Sequence, residues 1–276
     1  MKLKFVFKFV SLLVLVFMLF SNGLNAHSYN NVLAKNSENS ASGGITEVVP
    51  EKSRTRYQKW KEELLSTDFG RTLWETYQSK EKFSLTIKVV NKDGKGAGTS
   101  DYVWNEKGEL IGATISLDSK LDKGFPDPVY YPVMNSIQEF NAKREISSNV
   151  LAATKFAHEF GHVNLTYQSN QEKVVLQNNL MPVYKEIFLS NGYNSSDPKL
   201  LELTDKMGGT PNQIWENREY WGEVSAMNFL LEKTHKAQFY CTLLDKMQDN
   251  ISFYAKGYEE RFDKVLELKS ANDCTK

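Results

Sequence analysis

The residues best suited to chemistry lie in one pentapeptide, His158-Glu159-Phe160-Gly161-His162. On a helix the two imidazoles occupy positions i and i+4 of one face, where both can bind a single metal ion. Glu159 then lies about 100° around the helix from His158, near an open coordination position. There it can take a proton from metal-bound water and return it to a leaving amine, because a bound metal lowers the pKa of water to about 7. With only four histidines in the chain, this spacing favours a metal site over two unrelated side chains.

A catalytic zinc site needs a third protein ligand and leaves its fourth position to water. His27 is a poor candidate because it lies at an expected cleavage point, and His235 because it lies among charged residues at a helix end. Glu219 and Glu223 share one face of a predicted long helix, so spacing alone cannot choose between them. We expect Glu223 to be the ligand, because its neighbour Gly222 lets another helix approach closely. Glu219 is then expected to accept a hydrogen bond from a ligating imidazole.

These two stretches resemble the zincin metallopeptidases, in the gluzincin arrangement of two histidines followed by a later glutamate. The heptapeptide from Glu223 to Phe229, Glu-Val-Ser-Ala-Met-Asn-Phe, is similar to the stretch around the third ligand in several bacterial gluzincin groups. The alternative, with Glu219 as ligand and Glu223 behind it, resembles the thermolysin layout. The longer metzincin pattern is not present, since Leu165 and Gln168 stand where it has glycine and a third histidine.

The resemblance implies one Zn²⁺ per chain and the hydrolysis of peptide or protein substrates, with Glu159 as the catalytic base. It also implies a strand ahead of the active-site helix that holds the substrate in extended form, for which residues 110–117 are the candidate. Gluzincins often stabilise the oxyanion with a tyrosine or histidine, but nothing selects one of the thirteen tyrosines here.

The first 26 residues have the pattern of a signal peptide. Lys2, Lys4 and Lys8 precede an apolar run of about a dozen residues, and the segment ends at the small residue Ala26. The run is short for a membrane span of about 20 residues, although a retained anchor is the alternative. We therefore expect a secreted or periplasmic protein with no stable membrane span after cleavage.

Export changes what the two cysteines are expected to do. Cys241 and Cys274 are the only cysteines in the sequence, and an oxidising compartment favours a disulfide between them over two free thiols. A partner in another chain is the alternative.

The remaining pattern predicts an α+β protein. Residues 27–53 are rich in Asn, Ser and Gly and are predicted to be a flexible leader, with a zincin-like domain over 54–276. We predict a small antiparallel sheet lobe followed by a helical lobe, with the active-site helix between them. The predicted strands cover 83–90, 101–104 and 110–117, and the predicted helices 54–66, 69–79, 150–162, 171–190, 211–233 and 238–268. A further helix is predicted to start at Asp197-Pro198 and to end at Gly208-Gly209.

Charge and composition narrow the function further. The chain carries 34 basic and 34 acidic side chains, so it lacks the basic surface of a nucleic-acid-binding protein.

Taken together, the motif, the resemblance and the N-terminal pattern predict an exported zinc metallopeptidase. One alternative is a non-catalytic exported binding protein with a structural zinc site. The other is a tethered interaction protein that uses 27–53 as a spacer.

Overall fold

The computed structural model describes residues 43–274 apart from 91–93, 108, 126–130, 169–170 and 251–258, so the predicted signal peptide lies outside the described residues. The strands are β1 (Gly44–Val48), β2 (Ser84–Val90), β3 (Ala97–Trp104) and β4 (Leu110–Asp118). The helices are α1 (Glu51–Leu65), α2 (Asp68–Gln78), α3 (Pro132–Ala142), α4 (Ser148–Gln168), α5 (Gln171–Ser190), α6 (Pro198–Met207), α7 (Pro211–Thr234), α8 (Ala237–Asp249) and α9 (Glu259–Ala271), with a 3₁₀ turn at Leu121–Lys123.

The α+β class is confirmed, but the sheet is mixed rather than antiparallel. Its strand order is β1-β2-β4-β3. β1 and β4 both pair parallel with β2, and only β3 pairs antiparallel, with β4. Parallel neighbours require a crossover, which α1 and α2 supply between β1 and β2. The prediction that residues 110–117 hold a substrate is wrong, because β4 is paired on both sides, and β1 and β3 are the edge strands.

The ordered region begins earlier than the predicted boundary at residue 54. Residues 44–48, assigned to the flexible leader, form β1, and α1 begins at Glu51. β1 is short and largely exposed, so its side chains carry little periodicity, and its place is set by backbone pairing with β2. The described residues from 43 onward belong to one compact unit rather than to two lobes.

Helix α4 lies at the centre of that unit. It contacts β3 and β4, α1 and, most extensively, α7. Residues 150–161 are buried on every side, as expected for a helix in the interior of a domain. Phe156 and Phe160 pack against the rings of Trp74 and Tyr77 in α2. Burying a polar side chain on such a helix costs folding free energy unless the side chain has a hydrogen-bond partner.

Helix boundaries follow the local sequence with three differences. A capping box formed by Thr210 and Gln213 opens α7. The cap of α2 is Thr67, which accepts from the Gly70 N–H, and not Asp68 as its position suggests. Helix α3 was not predicted, and the predicted helix over 238–268 is divided between α8 and α9.

The predicted disulfide is confirmed: Cys241 in α8 is bonded to Cys274, just after α9, with their Cα atoms 5.2 Å apart. Within the part of the chain that the structure describes, no helix has the length and apolarity needed to cross a membrane.

Candidate metal centre

The two histidines of α4 converge with Glu219 of α7. Their Nε2 atoms lie 3.0 Å apart. One Glu219 oxygen lies 3.2 Å from His158 Nε2 and the other 3.7 Å from His162 Nε2. Zinc bonds of about 2.1 Å at tetrahedral angles separate neighbouring donors by about 3.4 Å, so the spacing of the two nitrogens and of one Glu219 oxygen from each is close to that of zinc ligands. The donor atoms of His158, Glu159 and His162 also all lie within 4.8 Å of one another.

Glu223, the ligand favoured from the sequence, contacts the start of α3. Its side chain is fully buried, and its Oε1 accepts from the backbone N–H of Met134 at 3.3 Å. Met134 is in the first turn of α3, where N–H groups lack helical partners and the helix dipole favours an anion. Glu219 contacts the Nε2 atoms, while His158 Nδ1 has no hydrogen-bond partner among the described residues. The geometry thus favours the alternative registration, with Glu219 against the imidazoles.

The close approach predicted at Gly222 is confirmed. A methyl group there would lie 2.6 Å from His158 Nε2 and from Cε1. A methyl group on Gly161 would lie 2.6 Å from the Trp221 carbonyl oxygen and 2.9 Å from Gly222 Cα. Ser225 adds a 2.6 Å hydrogen bond to the Ala157 carbonyl. Two glycines and a serine therefore bring α7 against α4, which is what places Glu219 within reach of both rings.

Glu159 lies beside these side chains and accepts a hydrogen bond from a residue of the sheet. Its ligand oxygen is within 4.8 Å of the donor nitrogens of His158 and His162. The hydroxyl of Thr99, on the edge strand β3, donates to Glu159 Oε2 at 2.7 Å and lies 3.2 Å from the Glu159 carbonyl oxygen. No sequence pattern pointed to Thr99.

Burial controls the ionisation of the cluster. It lowers the pKa of His158, and it lowers that of His162 to about 4, so both imidazoles stay neutral and able to bind a metal. Burial raises the pKa of Glu219. It raises that of Glu159 to about 7, although charge on His158 and the hydrogen bond from Thr99 oppose this shift. A carboxyl with a pKa near neutrality is suited to accept and return a proton.

Among the thirteen tyrosines, Tyr131 is the candidate that the structure places beside the cluster. It is the N-cap of α3, and its ring centroid lies 6.5 Å from that of His158. Burial, followed by the negative charges of Glu219, Glu159 and Glu223, raises its pKa. Its phenol therefore keeps its proton beside the cluster and can donate a hydrogen bond.

Lys155 lies one turn before Glu159 on α4 and is almost completely buried. Its Nζ donates to the carbonyl oxygens of Lys95 and Leu121, each at 2.8 Å, and to that of Gly124. It also lies 4.1 Å from the centroid of the Phe125 ring. The amine thus fastens the segment before β3 and the turn after β4 to helix α4.

The other candidates lie outside this cluster. His235 is exposed and ends α7 in the left-handed conformation, with φ of 51°. His27 lies outside the described residues.

Comparison with known proteins adds no assignment, because no family model, no curated protein and no solved structure matches the chain. The function must therefore be argued from the cluster itself.

Proposed function

We propose that this protein is an exported zinc-dependent peptidase. In this proposal His158, His162 and Glu219 hold one Zn²⁺, and Glu159 is the general base. The observation that carries it is the convergence of two imidazole Nε2 atoms and a carboxylate at separations of 3.0, 3.2 and 3.7 Å. A zinc ion held there would acidify a water molecule and polarise the scissile carbonyl.

Proton transfer, oxyanion stabilisation and substrate binding are carried out by residues of the chain. Glu159 takes the proton from the attacking water and delivers it to the leaving amine, a role that its position suits, because its oxygen lies within 4.8 Å of the donor nitrogens of both histidines. The Tyr131 phenol donates a hydrogen bond to the oxyanion that develops on the carbonyl. The edge of β3 that no described strand occupies lies next to Glu159 and pairs with the backbone of an extended substrate.

Export is supported by two features. The disulfide between Cys241 and Cys274 is typical of oxidising compartments. The N-terminal pattern of residues 1–26 is that of a secretory signal.

The rival function is a non-catalytic exported binding protein with a structural zinc site. One observation favours it, since His158, Glu159 and Glu219 are each less than a tenth exposed, as the ligands of a closed site would be. A structural site usually has four protein ligands, however, and here Glu159 lies beside three while its Oε2 accepts a hydrogen bond from Thr99.

Replacing Glu159 by Gln separates the two functions. The amide keeps the shape of the side chain and removes its basicity, so we expect turnover on a peptide library to fall at least about a hundredfold. Zinc content, measured by atomic emission, should stay at one per chain. A zinc-loaded wild-type protein that cleaves no peptide would support the structural role, and a variant with normal turnover would remove Glu159 from the mechanism. Protein without bound metal would favour the tethered interaction protein.

A further inference from the structure

Thr99 holds the proposed base from a different element of the fold. Glu159 is fixed to α4 by its own backbone, but its carboxylate can still rotate about its side-chain bonds. The 2.7 Å hydrogen bond from Thr99 Oγ1 occupies Oε2 and orients the carboxylate plane. This leaves Oε1 as the oxygen that can face a water molecule.

Strand β3 is irregular close to Thr99. Thr99 pairs with Ile115 of β4, and the register shifts immediately afterwards, between Ser100 and Val103. Asp101, inside this irregularity, has φ of 51°, in the left-handed region that non-glycine residues rarely adopt. Bulges of this kind bend a strand and redirect its side chains, and they are frequent beside active sites.

The start of the same strand is fastened to the same helix. The Lys155 amine binds the carbonyl oxygen of Lys95, four residues before Thr99. Two contacts to α4, from Lys95 and from Thr99, therefore hold the start of this edge strand beside Glu159.

We infer that Thr99 is a positioning residue for the general base, and that β3 couples the substrate to it. This inference rests on the proposed function. A peptide that pairs with β3 holds the strand in place, so the binding energy of residues distant from the scissile bond is used to orient Glu159. Extending the substrate along β3 should then raise kcat, and not only lower KM.

The test compares Thr99→Val, which keeps the branched shape without the hydroxyl, with Thr99→Ser, which keeps the hydroxyl. Thr86→Val is the matched control, since Thr86 lies in β2, which β4 separates from β3. For zinc-loaded proteins we expect Thr99→Val to lower kcat about tenfold with KM within about twofold, as typical for loss of a group that orients a site residue. Thr99→Ser should recover most of kcat, and the gain in kcat from substrate extension should disappear only in Thr99→Val.

A second readout does not depend on turnover. Acetohydroxamate binds zinc through its oxygens and shares its hydroxyl proton with a neighbouring carboxylate, so its affinity reports the orientation of Glu159. By calorimetry we expect Thr99→Val to bind it about fivefold more weakly than wild type, with Thr99→Ser and Thr86→Val unchanged. If zinc-loaded wild type hydrolyses no peptide, the proposed function fails and this comparison alone decides the role of Thr99. Equal acetohydroxamate affinity in Thr99→Val and wild type, or a Thr99→Ser protein as impaired as Thr99→Val, would overturn the inference.

Discussion

Adding a methyl group at Gly222 should release the metal without removing any ligand. An alanine Cβ would lie 2.6 Å from His158 Nε2, about 0.8 Å inside the 3.4 Å at which ordinary contact begins. Helix α7 cannot simply retreat, because Gly161 and the hydrogen bond from Ser225 to Ala157 hold it against α4. The imidazole must therefore move.

The size of the effect follows from that displacement. Metal–ligand distances tolerate deviations of about 0.2 Å, so a shift of about 0.8 Å takes the His158 nitrogen out of the coordination sphere. We expect Gly222→Ala to weaken zinc binding at least about a hundredfold and, as an overpacked site, to cost about 1–3 kcal/mol of unfolding free energy.

Competition with a chromophoric chelator measures the zinc affinity, and urea unfolding of the metal-free protein shows that the variant is folded. Gly98→Ala is the control, because nothing lies within 4 Å of a methyl group built there. A folded Gly222→Ala protein that binds zinc within threefold of wild type would refute the placement of His158 at the site.

Three further predictions concern the ligands, a buried amine and the disulfide. Glu219→Gln should lose zinc under a chelator that Glu223→Gln withstands, while Glu223→Gln should instead lower the melting temperature, because it weakens the anchor of α3. Burial lowers the pKa of Lys155 to about 7, so the unfolded chain binds the extra proton between about pH 7 and 10.5 and folding stability rises with pH across that window. Between pH 7 and 9.5, urea unfolding of wild type should therefore gain about 3 kcal/mol relative to Lys155→Met, and parallel curves would contradict the assignment. Denatured, unreduced protein should show no free thiol, and Cys274→Ser should lose about 3–4 kcal/mol of unfolding free energy in chemical denaturation.

Helix α4 was predictable because its candidate metal ligands and its periodicity lie in one segment. The spacing of His158 and His162 is local, and the helix that brings their nitrogens together is local too. The disulfide was equally accessible, since Cys241 and Cys274 have no competitors.

The choice among the glutamates of α7 was not predictable, because their partners come from other elements. Glu219 reaches the imidazoles, Glu223 the first turn of α3, and Glu232 accepts from the N–H groups of Asp68 and Phe69 at the start of α2. The sequence predicts all three glutamates to be acidic residues on the same helix. Their roles differ because each contacts a different N–H group or ring in the folded protein.

Thr99 and β1 escaped prediction for a related reason. Thr99 is one of many polar residues on strands, and only the packing of β3 on α4 brings it to Glu159. β1 has little amphipathic pattern, because it is stabilised by backbone hydrogen bonds to β2.

The carbonyl oxygens around Lys155 form the kind of oxygen cage that elsewhere holds a dissociable cation. Here the group inside the cage is the Lys155 amine, covalently attached to α4, so its effective concentration at the cage does not depend on the ions in solution. A chelator cannot remove the amine, and dilution cannot release it from the cage. Stripping the protein of metal should therefore act on the histidine cluster while this corner of the fold stays assembled, and Zn²⁺ alone should be enough to restore what the chelator removed.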